Sequence, residues 1–308
     1  MNRRNYASGT AMLLLASFIW GTTFVAQSDA MSKIGPFAFT AIRSAIGGAA
    51  LTVIYLVTQG KKATIPFSKK NIEFTLTGGV ACGIILFFSV NFQQVGLMHA
   101  SPGKAAFITA LYIIIVPIIG MFTGKKPSGI VWICAAVSVI GFYLLNITEG
   151  EGFGITIWEV LVIFCAITFS FHIMAVDKYG EKINAVLLSC IQFWTVTVLS
   201  AVCMVIDVTV LNYSMPTLSV MGDVWFNLVY AGLFSSGIAY TLQIAGQKRM
   251  PASAASLLMS LESVFAAVSA WVVSPQNAMN AIQICGCVLI FGAICVSQLP
   301  QKTNLSEI

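Results

Sequence analysis

Charge is what this chain lacks most. Only 9% of its 308 residues are Asp, Glu, Lys or Arg, while 58% are hydrophobic. Soluble domains carry about 25% charged residues, so a water-soluble globule of this length is excluded for want of polar surface. Histidine is scarce too, with two copies beside 11 carboxylates. That leaves little from which to build an Asp/His cluster or a metal centre, and no cofactor or metal is expected. The cysteines, at 82, 134, 165, 190, 203, 285, 287 and 295, each lie in an apolar stretch. None forms a C-x-x-C pair or has a nearby histidine, so they read as small membrane-helix residues rather than disulfides or ligands. No G-x-x-x-x-G-K-[ST] motif occurs, which argues against direct ATP drive. The net charge of +5 does not indicate nucleic acid, because the basic residues sit in short clusters between apolar runs.

Long apolar runs are what is there. The mean hydropathy is +0.89, and a helix crossing a bilayer needs about 20 apolar residues. Gly, Pro and charge breaks divide the chain into ten such segments, near 9–28, 36–58, 73–96, 102–122, 129–146, 156–176, 184–206, 223–246, 252–272 and 280–299. An all-α integral membrane protein with ten transmembrane helices is expected. Pro117 should kink the fourth. The opening "MNRRNYASGTAMLLLASFIWGTTF" has the basic start of a signal peptide. No small-residue cleavage site closes its apolar run, so it reads as a retained first helix. Short connections leave no room for a soluble catalytic domain.

Orientation follows from the basic residues. With the N-terminus inside, Arg3, Arg4, Lys61, Lys62, Lys69, Lys70, Lys125, Lys126, Lys178, Lys182, Lys248, Arg249 and Lys302 are cytoplasmic, 13 of the 16 Lys and Arg. Lys33 and Lys104 fall outside and Arg43 within a span. Asp29, Glu149, Glu151, Asp207 and Asp223 fall in the outer loops. Both ends are therefore expected in the cytoplasm of a plasma or inner membrane.

The chain also repeats itself. "FQQVGLMHASPGKAAFITAL" from Phe92 matches "LQIAGQKRMPASAASLLMSL" from Leu242 at an offset of 150, pairing Gln93 with Gln243 and Gly96 with Gly246. "WGTTFVA" from Trp20 lies opposite "TFSFHIM" from Thr168. Residues 1–147 and 148–308 then form two copies of five spans each. An odd number of spans makes the second copy enter from the opposite side, as an inverted repeat does in secondary carriers.

In its "WGTTFVAQ", in Arg43, in "GLMHASPGKAAFITALYIIIVPIIG" and in "GQKRMPASAASLLMSLESVFAAVSA", the chain resembles the drug/metabolite transporter superfamily, in particular its ten-helix EamA-type members. The resemblance covers nearly the whole length. It implies export or exchange of small metabolites, without naming one. Two departures stand out. Ser263 replaces the proline of the family's Leu-Glu-Pro-Val run. The loops "TGKKPS" and "VSPQNA" lack the acid of the family's usual Gly-Glu pair.

Several polar residues stand in the apolar spans. Glu262 is alone in "AASLLMSLESVFAAVSAW", and an ionised carboxylate there costs several kcal/mol unless paired, solvated or protonated. Either it faces a water-accessible cavity that binds an ammonium group or a proton, or it is a structural acid bonded to a neighbouring helix. Its repeat counterpart is Tyr112. Arg43 either meets a substrate carboxylate or pairs within the protein; its counterpart is Gln192. Should both charges face one cavity, that cavity suits a zwitterion such as an amino acid. Asn91 and Gln94 share a face of span 3 with Gln93 beside them. Ser235, Ser236, Tyr240 and Gln243 lie on span 8, and His172 lies deep in span 6. Each lines a pocket or bonds between helices. Trp20, at mid-span, is the tryptophan best placed to wall a pocket. The expected partners are a small-molecule substrate and the bilayer, with the chain a monomer or weak dimer. A membrane-embedded enzyme or a scaffold is the competing reading. Labelling of cysteines introduced at positions 65 and 150 is expected to find the first cytoplasmic and the second external; the reverse would overturn the topology.

Overall fold

A backbone in lipid has no water to bond its N–H and C=O groups, so each must be satisfied within its own helix. The computed structural model, which describes residues 3–59, 69–124, 127–145, 156–210, 216–273 and 279–298, is helical throughout, and no strand occurs among the described residues. The helices are α1 (Arg3–Met31), α2 (Pro36–Gln59), α3 (Lys69–Gly96), α4 (Pro102–Thr109), α5 (Tyr112–Phe122), α6 (Gly129–Leu145), α7 (Ile157–Gly180), α8 (Ala185–Val210), α9 (Leu218–Asp223) and α10 (Trp225–Tyr230). A π-helical segment, Ala231–Ala239, joins α10 to α11 (Tyr240–Gln247), and α12 (Ala252–Met259), α13 (Glu262–Val273) and α14 (Ala281–Ser297) follow. Eight stretches are long and apolar enough to cross a membrane, and α6 and α14 are shorter apolar helices. The domain boundary at 147/148 lies outside the described residues. So do Lys61, Lys62, Lys125, Lys126, Glu149, Glu151, Lys302, labelling positions 65 and 150, and most of "VSPQNA".

Small residues set the helix crossings. A Cβ on Gly141 of α6 would lie 2.8 Å from Gly286 O of α14, and one on Gly47 of α2 would lie 2.8 Å from Gly232 O in the π segment. Backbones can approach this closely only where side chains are absent. α2 packs on α8, α3 on α7 and α8, and α1 on α11, α13 and the π segment.

Two spans expected to be continuous are broken. The fourth interrupts at Ala110–Leu111, between α4 and α5; the ninth interrupts at Ser260–Leu261, between α12 and α13. In both, the hydrogen-bond ladder tightens to i→i−3. Ile113 N donates to Ala110 O (3.0 Å) and Ser263 N to Ser260 O (3.2 Å). The backbone angles match: φ −64°, ψ −9° at Ala110 and φ −64°, ψ −13° at Ser260. The break in span 4 thus precedes the expected kink. Pro117 sits inside α5, where it removes one bond to Ile113 O without ending the helix. The serines flanking the break in span 9 diverge: Ser260 turns its hydroxyl back to Leu257 O (2.8 Å), while Ser263 reaches across to Ala106 O of α4 (2.8 Å). Span 8 is likewise not one regular α-helix, because the π segment loosens its centre.

The two ends of the bundle differ in charge. At one end Tyr6 donates to Gln298 Oε1 (3.0 Å), Lys248 Nζ to Ile183 O (2.5 Å), and Lys182 lies 5.7 Å from the Phe74 ring. Partial burial and neighbouring Arg249 hold the Lys248 ammonium below the ordinary lysine range. At the other end Asn227 donates to Asp29 Oδ2 (2.8 Å), and Lys104 pairs with Glu159 (2.5 Å). The first is called the basic end below.

Gly21 faces the start of α13. A Cβ there would collide with Phe265 Cβ and lie 2.7 Å from Glu262 O and 2.9 Å from Ala266 N. Two of these are backbone atoms, which cannot swing aside. Gly21→Ala is expected to destabilise by about 1–3 kcal/mol, read as a lower melting temperature in detergent. Unchanged melting would mean that α1 and α13 do not approach this closely.

Candidate functional site

The two helix breaks meet at the centre of the bundle, and a small cavity opens beside them. It measures about 20 Å³ and is lined by residues of α1, α2, α3, α4, α7, α13, the π segment and α11. A space of that size holds a water or two.

One pole is Glu262, which opens α13 and is buried at 4% exposure. The Tyr112 hydroxyl donates to Glu262 Oε1 at 3.1 Å. Tyr112 is the first residue of α5, so each break delivers its first helical residue to the same contact.

The other pole is Arg43, 3% exposed on α2. Its Nε has no partner, and its guanidinium carbon lies 5.7 Å from the centre of the Phe39 ring. Arg43 and Glu262 line one cavity, and no salt bridge joins them. A buried charge without a counter-charge costs several kcal/mol.

Between the poles stand polar walls. Gln93 Nε2 donates to Thr109 Oγ1 (3.1 Å), and Gln27 leaves its Oε1 unpartnered. Ser235 completes this side. Aromatic rings form the floor: Trp20 packs on Tyr240 (4.9 Å between centroids) and Phe169 (6.1 Å), and Tyr240 on Phe193 (5.1 Å). Trp20 keeps an unpartnered indole N–H.

Of the residues singled out in the sequence, Glu262, Arg43, Trp20, Ser235 and Tyr240 line the cavity, and Tyr112 joins through its hydrogen bond. Asn91 turns to α8 instead, donating to Ser200 Oγ (3.0 Å). Gln94 is fully buried with both amide atoms unpartnered; the cavity wall is formed by its neighbour Gln93. His172 bonds Gln192 (3.1 Å) and Gln243 donates to Gln247 (3.0 Å). Phe24, Gln27, Thr109 and Phe169 were not singled out. Gln27 carried a signal, as the amide closing "WGTTFVAQ". Trp194 and Trp271 are exposed on the outside of the bundle.

The sequence profile of the EamA-like transporter family matches residues 7–147 and, a second time, residues 156–298. The chain belongs to the EamA-like transporter family. It is similar to an "Uncharacterized transporter" of Archaeoglobus fulgidus, 28% identical over 289 residues, covering 90% of this chain and 83% of the relative. It is also similar to "Uncharacterized transporter YwfM" of Bacillus subtilis, 24% identical over 308 residues, covering 96% and 95%. A solved crystal structure superposes with a TM-score of 0.72 at 22% identity, covering 94% of this chain and 96% of its own; that likeness shows the fold alone. This family member is thus a multi-pass membrane transporter.

Glu262→Gln keeps the shape and an acceptor for Tyr112 but removes the ionisable group. It is expected to fold normally and to lower flux in proteoliposomes by about tenfold or more, the equivalent of about 1.4 kcal/mol or more. Undiminished flux over a wide pH range would reduce Glu262 to a packing role.

Proposed function

We propose that this EamA-like protein is a secondary carrier that exports or exchanges a small polar metabolite, with an amino acid or a related zwitterion or amine as the class of cargo. The observation that carries the reading is that Arg43 and Glu262 line one cavity without a salt bridge between them. A zwitterion satisfies both at once, its carboxylate toward the guanidinium and its ammonium toward Glu262 and the aromatic floor. The cavity of about 20 Å³ is smaller than any amino acid. Cargo therefore enters only when helices part, and this conformation is a closed one.

The architecture we propose is ten spans in two copies, 1–147 and 148–308, inverted relative to each other. Several observations support it. The breaks at Ala110 and Ser260 stand 150 positions apart with matching angles. α3 packs on α7 and α8 much as the Trp225–Gln247 stretch packs on α1 and α2. The family profile matches twice. Broken helices meeting near the midplane are a recurring way for carriers to build a central site. Lys178, Lys182, Lys248 and Arg249 gather at the end that holds Tyr6, which supports cytoplasmic termini in a plasma or inner membrane. The energy would come from a gradient, and the working unit would be a monomer or weak dimer. The reading as a membrane-embedded enzyme or scaffold has less support: the cavity offers one carboxylate and no cysteine or histidine in its wall.

The test is flux. Protein reconstituted without ATP is expected to exchange at least one compound from a panel of radiolabelled amino acids and small amines, and Arg43→Gln to lower flux of zwitterions more than that of simple amines. No flux across the whole panel would favour the enzyme or scaffold reading.

A further inference from the structure

A second polar cluster lies behind the aromatic floor, toward the basic end. His172 Nε2 is 3.1 Å from Gln192 Oε1, and the His172 ring is 6.0 Å from that of Tyr240. Gln243 donates to Gln247 Oε1 (3.0 Å), and Gln247 Nε2 donates to Ile173 O (3.1 Å), next to His172 in the chain. His172, Gln192 and Gln243 have no exposed surface, and each keeps one polar atom unpartnered: Nδ1, Nε2 and Oε1 respectively. Leaving such an atom buried costs about 1–3 kcal/mol, so a cluster built only for stability would not leave three.

Their positions in the fold match those of the cavity wall. Arg43 stands seven positions into α2, and Gln192 stands seven positions into α8. Gln93 lies near the end of α3, and Gln243, 150 positions later, lies near the end of α11. Arg43 and Gln93 belong to the end opposite the basic one, where Gly96 packs on Trp158 O. Gln192 and Gln243 belong to the basic end, where Lys248 meets Ile183. Two inverted copies reach their second state by exchanging conformations, so matched residues exchange roles.

We propose that His172, Gln192 and Gln243 are the second half of the substrate path, the polar wall met by the cargo when the cavity opens to the basic end. This rests on the carrier reading above. In this conformation the half is sealed by Trp20, Phe169, Tyr240 and Phe193. Once the rings part, its three spare hydrogen-bonding atoms face the cargo in place of Arg43 and Gln93. The substitution of an amide for the guanidinium has a consequence. An amide brings neither the opposite charge nor the bidentate fork of a guanidinium, so a cargo carboxylate is held less tightly on the basic side and leaves there more readily.

The experiment is side-specific labelling. Gln243→Cys and Gln93→Cys are made in a chain whose native cysteines are replaced by serine or alanine, then reconstituted. An N-terminal tag fixes the sidedness, since Tyr6 lies at the basic end. The membrane-impermeant reagent 2-(trimethylammonium)ethyl methanethiosulfonate is applied to one side at a time. The thiol at 243 is expected to react about tenfold faster or more from the basic side, and the thiol at 93 with the opposite preference, a difference worth about 1.4 kcal/mol or more. A thiol at 243 that stays unreactive from the basic side, in protein that moves an amino acid, overturns this path and leaves the carrier reading standing. No flux in the parent chain removes both. A second variant guards against misfolding of the cysteine-replaced chain. Gln243→Met in the native background, close in volume, is expected to melt near the parent and to lose flux by about tenfold; undiminished flux overturns the path.

Discussion

The hydrogen bond from the Tyr112 hydroxyl to Glu262 Oε1 joins the two points at which α5 and α13 begin. Much of the centre is arranged around it. The fourth and ninth stretches both interrupt their regular ladder just before this contact, and they do so with nearly the same backbone angles. The breaks turn the Glu262 carboxyl inward, where a phenol bonds it. They also bring α4 and α13 close enough for Ser263 to bond Ala106 O. That serine occupies the position where the family pattern has proline. Here it serves as a cross-link between the two broken helices.

Charge burial explains the composition of the cavity. A buried guanidinium and a buried carboxyl group that do not pair with each other leave polar demand unmet. The walls supply partial compensation through Gln93, Thr109, Gln27 and Ser235, while the aromatic floor limits the space that must be filled. The result is a centre polar enough to attract a charged molecule and too small to admit one without rearrangement.

How far the sequence disclosed this depends on the kind of signal each feature leaves. Eight of the expected spans were legible because about twenty apolar residues are hard to mistake. Arg43 and Glu262 were legible because a charge in such a run is expensive. The breaks were not. Ala110 and Leu111 are ordinary helix formers, Ser260 and Leu261 belong to a smooth small-residue run, and Pro117 drew attention to the wrong turn. The π segment left no mark either, since it changes the bonding offset rather than the composition. Gln93 and Gln94 show the limit within a helix: one position is about 100° of rotation, enough to separate the wall of a cavity from a buried amide. Phe169 is one of 21 phenylalanines, and only its neighbours in space make it part of the floor.

The pair Lys104–Glu159 bridges α4 and α7, which belong to opposite halves of the chain. Its members are not equally tethered. Glu159 is also gripped by Thr156, through the backbone N–H (2.5 Å) and the hydroxyl (2.6 Å), whereas Lys104 is one-third exposed on a flexible stem. In the carrier we propose, parting of the two copies there would swing the lysine free and leave the glutamate in place, so the latch would have one moving leaf and re-engage against a fixed jamb.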